Sequence, residues 1–185
     1  FALDKPAAPL VLREVLATHL REPGRDLDAI YDGVVKDLEL RGQFPVGVFG
    51  TAARGKHLRT LEEWRRELGP VEVGAATRLA FGRSTSRIAD LRTALDLELA
   101  PGRSVRLVGQ TELLLREGAR YVSVVPLVGK ADKKGHHHLR GALDHLVLAA
   151  AGMAPAGHGH VLLDPEGRAL RVHHVEVVRE ALLVA

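Results

Sequence analysis

The sequence predicts an α/β protein in which N-terminal helices lead into a mixed sheet flanked by helices. Three observations carry this. Apolar residues recur at helical spacing through 8–68. Beyond Gly69-Pro70 the period shortens to two, as in Leu95-Leu97-Leu99, or gives way to a continuous apolar run over 121–127. Helical spacing then returns over 137–151. Helices followed by strands that enclose one helix is an α/β or α+β arrangement. The change at Gly69-Pro70 divides the chain into a helical segment and linker, 1–69, and an α/β domain, 70–185.

The elements follow in order. Leu10, Leu12, Val15, Leu16 and Leu20 form one helical stripe that Pro23-Gly24 ends. Asp26 can accept a bond from the first turn of a second helix, whose stripe is Leu27, Ile30, Val34, Val35 and Leu38, and Gly42 closes it. A Gly- and Pro-containing connector, 43–50, precedes a third helix over 51–68 with Leu58, Leu61, Trp64 and Leu68 inward. Val71, Val73, Leu79 and Phe81 suggest extended segments, and 83–92 is polar enough to be a loop. Leu95, Leu97 and Leu99 alternate with polar residues as on a half-buried strand, and Pro101-Gly102 turns the chain. A second strand takes in Val105 and Leu107, the Gly109 motif, and Leu113 and Leu115, and a third, 120–128, is apolar enough to be central. A basic loop, 129–135, leads to a helix over 137–151. Leu139, Leu143, Leu146, Val147 and Ala150 form its apolar face, Asp144 and His145 point away, and Gly152 is its cap. A strand at 160–163, a turn at 164–167 and a last helix at 174–184 complete the chain.

Composition narrows the class. With 185 residues, 46% apolar and 26% charged, the chain can bury a sizeable core. No apolar run approaches the roughly 20 residues of a membrane span. The absence of cysteine excludes disulfides and thiolate metal sites and fits a cytoplasmic setting. A net charge of +3 points only mildly to nucleic acid. The first residue is Phe, as expected of a piece of a longer polypeptide or of a processed protein.

Strand, strand, strand, helix over 93–152 is the layout of a metal-dependent nuclease core. The second strand carries Gly109-Gln110-Thr111-Glu112, where such a core has Gly-x-x-Asp. The third, Tyr121-Val122-Ser123-Val124-Val125-Pro126-Leu127, supplies neither the acid nor the lysine expected there. Cutting a phosphodiester needs clustered carboxylates for Mg²⁺ and a group that positions water. Glu112 alone is therefore a surface glutamate, a weak metal ligand, or a relic of an active site now bonded to structure. No catalytic residue, metal site or cofactor is expected.

Other motifs carry less. The ten histidines lack the i, i+4 pairing of a zinc helix and are expected to be solvated or to face a partner. No nucleophile elbow and no phosphate-binding loop occurs. Two basic clusters remain, Arg54, Lys56, Arg59, Arg65 and Arg66, and Lys130, Lys133, Lys134 and Arg140. Each is either a solvated face or a set of phosphate contacts, and the second set supplies the candidate DNA-binding residues.

Arg41-Gly42-Gln43-Phe44-Pro45-Val46-Gly47-Val48-Phe49-Gly50, following a helix pair that opens with Phe1-Ala2-Leu3-Asp4, resembles the linker ahead of the last domain of exodeoxyribonuclease V gamma chains, the RecC family. Segment 103–115 looks like that family's strand pair, and Leu143-Asp144-His145-Leu146-Val147 is similar to its Leu-Glu-His-Leu-Val helix. The resemblance implies a degenerate PD-(D/E)xK nuclease fold that has lost its catalytic residues. It implies a non-enzymatic C-terminal domain of an ATP-dependent helicase–nuclease complex, which scaffolds the beta and alpha subunits (RecB-like and RecD-like) and guides or splits DNA in recombinational double-strand break repair. Loops 83–92 and 129–137 are the candidate DNA-facing segments by position and polarity. The alternatives are a metal-dependent DNA nuclease of the same fold and an interaction domain with no DNA contact.

Overall fold

The computed structural model describes residues 7–40, 42, 44, 48–72, 74–83, 89–128, 134–153, 157–164 and 169–174. The chain forms two compact units. One comprises Phe1–Gly74, Pro126–Ala131 and Leu163–Ala169, the other Ala75–Val125, Asp132–Leu162 and Leu170–Ala185.

The first unit is built on three helices, α1 (Ala7–Arg21), α2 (Leu27–Leu40) and α3 (Val48–Leu68). The Asp26 carboxylate accepts the Ala29 amide at 3.3 Å and so caps α2 as its position predicts. Leu12, Val15, Leu16, Leu20, Ile30, Leu61 and Trp64 are buried on the stripes that the spacing predicts, whereas Leu10, also placed on the first stripe, is 51% exposed and its neighbour Val11 is buried instead. Tyr31 and His57, outside those stripes, are buried as well. Tyr31 bonds His57 Nδ1 through its hydroxyl at 2.9 Å, so α2 and α3 share a polar contact inside their packing. The buried Trp64 gives its indole N–H to the Asp164 carbonyl at 2.6 Å, which ties the end of the strand His158–Leu163 to α3. Arg54, the first member of one basic cluster, is held by Asp32 at 2.8 Å and Asp28 at 2.7 Å, and Arg65 by Glu62 at 2.8 Å. Arg54 thus links α3 to α2, while Arg65 is paired within α3, so neither is a free basic charge.

The second unit carries β1 (Ala76–Phe81), β2 (Ala89–Arg92), β3 (Leu95–Ala100), β4 (Arg103–Leu107), β5 (Gly109–Gln110), β6 (Leu113–Glu117), β7 (Arg120–Pro126), α4 (Lys134–Ala150), β8 (His158–Leu163) and β9 (Ala169–His174). The main sheet runs β2-β1-β6-β7-β8-β9, with β5 also on β1. It is mixed: β1 is parallel to β2 and antiparallel to β5 and β6, and β6 is antiparallel to β7. The apolar third strand is central, as expected, with β6 and β8 as neighbours.

Four expectations need correction. First, Leu95-Leu97-Leu99 is not a strand of the main sheet. It is β3, which pairs with β4 as a separate two-stranded sheet, so the predicted second strand is divided, with Val105 and Leu107 in the hairpin and Leu113 and Leu115 on β6 of the main sheet. Leu95 faces Leu107 and Leu97 faces Val105, while Asp96 faces Arg106, so the hairpin has its own apolar and charged sides. Its legs leave the sheet beside Gly82, where Ala94 Cβ and Val108 Cγ2 would lie 3.0 and 3.4 Å from an added Cβ, and where φ is +70°. Second, β2 falls inside the predicted loop 83–92, whose residues 84–88 are outside the described ones. Third, β9 lies at an edge of the sheet between the predicted turn and helix, where no strand was expected, and all but the first residue of the helix predicted at 174–184 is outside the described residues.

Fourth, α4 is rotated. Leu139, Leu143 and Leu146 are 57, 50 and 38% exposed, whereas Asp144 and His145 are each 5% exposed. Gly141, Asp144, His145 and Leu148 line the inner face. Leu148 joins Leu79, Phe81 and Leu114 in the core, with Tyr121 and Met153 alongside. The cap is as expected: the Met153 amide reaches the Leu148 carbonyl at 2.9 Å, and the Gly152 amide reaches Ala149 at 3.0 Å.

Candidate functional site

The densest polar constellation among the described residues lies between the inner face of α4 and strands β7 and β8. Its first component is Glu112. Residues 111–112 interrupt the strand between β5 and β6. Thr111 holds this break against β1: its amide bonds the Leu79 carbonyl at 2.9 Å and its hydroxyl accepts the Leu79 amide at 3.1 Å. Glu112 is thereby presented to α4, where Arg140 forms a hydrogen-bonded ion pair with its carboxylate. Both side chains are largely covered, 15% exposed for Glu112 and 25% for Arg140. Of the alternatives for Glu112, the one in which the carboxylate is bonded to structure matches this geometry.

The second component is Asp144, one turn beyond Arg140. Its Oδ2 accepts the Ser123 hydroxyl at 2.6 Å and the Glu112 amide at 3.1 Å. Ser123 Oγ also lies 2.9 Å from His158 Nε2. Burial pushes the Asp144 carboxyl up to about 7; the Ser123 bond opposes that rise and the Glu112 charge adds to it. Ser123, which stands on the strand where a nuclease acid is expected, is thus a bridge between an acid and an imidazole.

The third component is imidazole. His158 and His160 sit two apart on β8 and so on one face, while His138 and His145 sit two turns apart on α4. His138 Nδ1 meets His160 Nε2 at 2.9 Å, and the rings of His145 and His158 lie 5.5 Å apart. His145, His158 and His160 are buried, which corrects the expectation that the histidines are solvated. Gly141 makes room for this: a Cβ there would come within 2.7 Å of His160 Cβ and Nδ1. The local clue was a glycine in mid-helix, which marks close approach of another element.

Chemically the arrangement is closed. In a hydrolase the imidazole takes the serine proton; here Ser123 gives its proton to Asp144 when that group is ionised, and its side chain is buried away from any substrate. Among the described residues, no three histidine or carboxylate side chains are grouped so as to hold a metal ion. Of the candidate DNA-binding residues, Arg140 is in the Glu112 ion pair, Lys134 starts α4, and Lys130 and Lys133 are outside the described residues. No described helix is long and apolar enough to cross a membrane. No protein-family model matches the chain, and a comparison with curated proteins gives no match.

Proposed function

We propose that this chain is a non-catalytic, nuclease-like domain of a RecC-type subunit, which scaffolds helicase and nuclease partner subunits and guides or splits DNA during double-strand break repair in the cytoplasm. The observation that carries the reading is the engagement of both carboxylates. Mg²⁺ binding needs carboxylate oxygens free to face the cation. Glu112 is taken by Arg140, and Asp144 by Ser123 and a backbone amide. Two surfaces support the scaffolding and guiding parts. The exposed leucines 139, 143 and 146 form an apolar stripe on α4, and the β3–β4 hairpin exposes Arg103, while its Arg106 is paired with Asp96 at 2.9 Å.

The test is incubation of linear duplex and single-stranded DNA with the chain in Mg²⁺ or Mn²⁺, with binding followed by anisotropy across a salt series. The expected result is no cleavage, with weak binding whose log–log salt slope is about −3, as for roughly three neutralised phosphates. Metal-dependent cleavage that disappears in Glu112→Ala would establish the nuclease instead. Absence of binding even at low salt would leave an interaction domain without DNA contact.

A further inference from the structure

From Leu139 onward the outward face of α4 consists of leucine and alanine. Leu139, Leu143 and Leu146 are exposed, Ala150 lies in line with them, and Ala142 and Ala149 run along one flank. A helix at a protein surface ordinarily turns charged residues to water. Here the two charged residues between 139 and 150 are engaged within the chain, Arg140 with Glu112 and Asp144 with Ser123. We propose that this face pairs with the same face of a second copy of the chain, the two α4 helices running antiparallel about a two-fold axis between Leu143 and Leu146.

The spacing identifies the occupant as a helix. Steps of four, three and four residues from 139 through 143 and 146 to 150 are the a and d positions of a heptad, which form one seam and take the side chains of a facing helix between them. The order of large and small residues along the seam identifies which helix. Laid against itself in reverse, the seam sets Leu143 of one copy opposite Leu146 of the other, and Leu139 opposite Ala150. Every alanine of the seam then meets a leucine. Laid in parallel, the two Ala150 residues meet each other and leave that end unfilled.

Charge favours the same orientation. The first turn of α4 has no acidic residue and the last turn no basic one, so side chains of the helix compensate its dipole at neither end. An antiparallel neighbour sets a negative helix end beside each positive one, and a parallel neighbour sets like ends together. Neither Arg140 nor Asp144 lies on the seam, so the pairing buries no charge.

The seam runs only about 16 Å from Leu139 to Ala150. That is short for a protein interface, so association is weak and follows concentration. The pairing does not rest on the RecC-type reading. A chain that stays single overturns the pairing and leaves that reading where it stands.

The experiment is sedimentation equilibrium on the whole chain from about 10 to 500 µM, the range that suits a small interface. The mass should rise from one copy toward two and no further. Leu143→Lys, at the centre of the seam, should raise the dissociation constant at least about tenfold. Orientation is read with introduced cysteines, since the chain has none of its own. A short thiol cross-linker should join Leu139→Cys to Ala150→Cys when the two variants are mixed. It should join neither variant to itself, because like positions lie about 16 Å apart along antiparallel helices. A mass of one copy at every concentration, growth beyond two copies, an unchanged dissociation constant in Leu143→Lys, or cross-linking of each cysteine variant to itself would overturn the proposal. If Leu143→Lys does not fold, the cross-linking of the mixture decides.

Discussion

Gly141 of α4 lies against the ring of His160 on β8, so closely that a methyl group on residue 141 would meet His160 Cβ and Nδ1 at 2.7 Å. Glycine in a helix interior ordinarily costs about 1 kcal/mol relative to alanine. Here the contact is with the root of a buried ring, which cannot swing aside, and overpacking of this kind costs roughly 1–3 kcal/mol. Gly141→Ala should therefore lower stability. Gly55→Ala, in α3 with nothing within 4 Å of an added Cβ, should raise it by roughly 0.5–1 kcal/mol. Urea midpoints of the two variants check this, and a stabilised Gly141→Ala would contradict the docking of α4.

The rotation of α4 reverses the order of two substitutions expected from the sequence. Leu143 is half exposed, so Leu143→Ala should cost less than about 1 kcal/mol, well under the ~2–5 kcal/mol of a buried leucine. Asp144→Ala strips partners from the Ser123 hydroxyl and the Glu112 amide, each a buried or part-buried donor worth roughly 1–3 kcal/mol when left unmade. Denaturant titrations should place Asp144→Ala well below Leu143→Ala in midpoint.

This rotation shows where the sequence was legible. The stripes of α1 to α3, the Asp26 cap, the central β7 and the Gly152 cap depend on neighbours in the chain, so spacing and residue type reveal them. The inner face of α4 depends on donors that the fold brings from 21 and 32 positions away, Ser123 and the Glu112 amide. A polar residue reads as outward until such partners are known, and three leucines read as inward. The β3–β4 hairpin is hidden in the sequence for a related reason. Alternation over 95–99 identifies a two-sided strand but not the partner it pairs with. Glu112 stands out in the sequence by its Gly-x-x-Asp-like context, whereas Arg140, its partner, falls in with the lysines before it because charge and adjacency are the only local signals.

Asp144 also sets a pH dependence of its own. Its folded value, about 7, lies above the ~3.9 of an unfolded aspartate. The folded state therefore binds the proton more tightly. The contribution is fully present below pH ~4 and is lost as pH rises through 7. Asp144→Asn, which cannot ionise, should remove this term. The difference in unfolding free energy, wild type minus Asp144→Asn, should fall by a few kcal/mol, as an order of magnitude, between pH 4.5 and 8. A difference that stays level over that range would mean that Ser123 and the Glu112 amide fully offset the burial of the charge.

The Glu112–Arg140 pair separates a structural from a catalytic carboxylate. Removing one partner of a largely covered ion pair leaves a charge without compensation, a loss that approaches 3–5 kcal/mol for full burial and is smaller at these exposures. Arg140→Ala should therefore be more damaging than the double replacement Glu112→Gln with Arg140→Met, in which neither side chain is charged. A double-mutant cycle built from Glu112→Gln, Arg140→Met and the double variant should give a coupling of about 1 kcal/mol or more. The cycle bears on function as well. In Arg140→Ala the glutamate carboxylate is freed, yet Asp144 remains bound to Ser123 and β7 still offers Ser123 in place of an acid. The expected outcome is a destabilised protein that still does not cut DNA in Mg²⁺ or Mn²⁺. Cleavage appearing in Arg140→Ala, and absent when Glu112→Ala is added, would show that the arginine masks a competent metal ligand rather than replacing one.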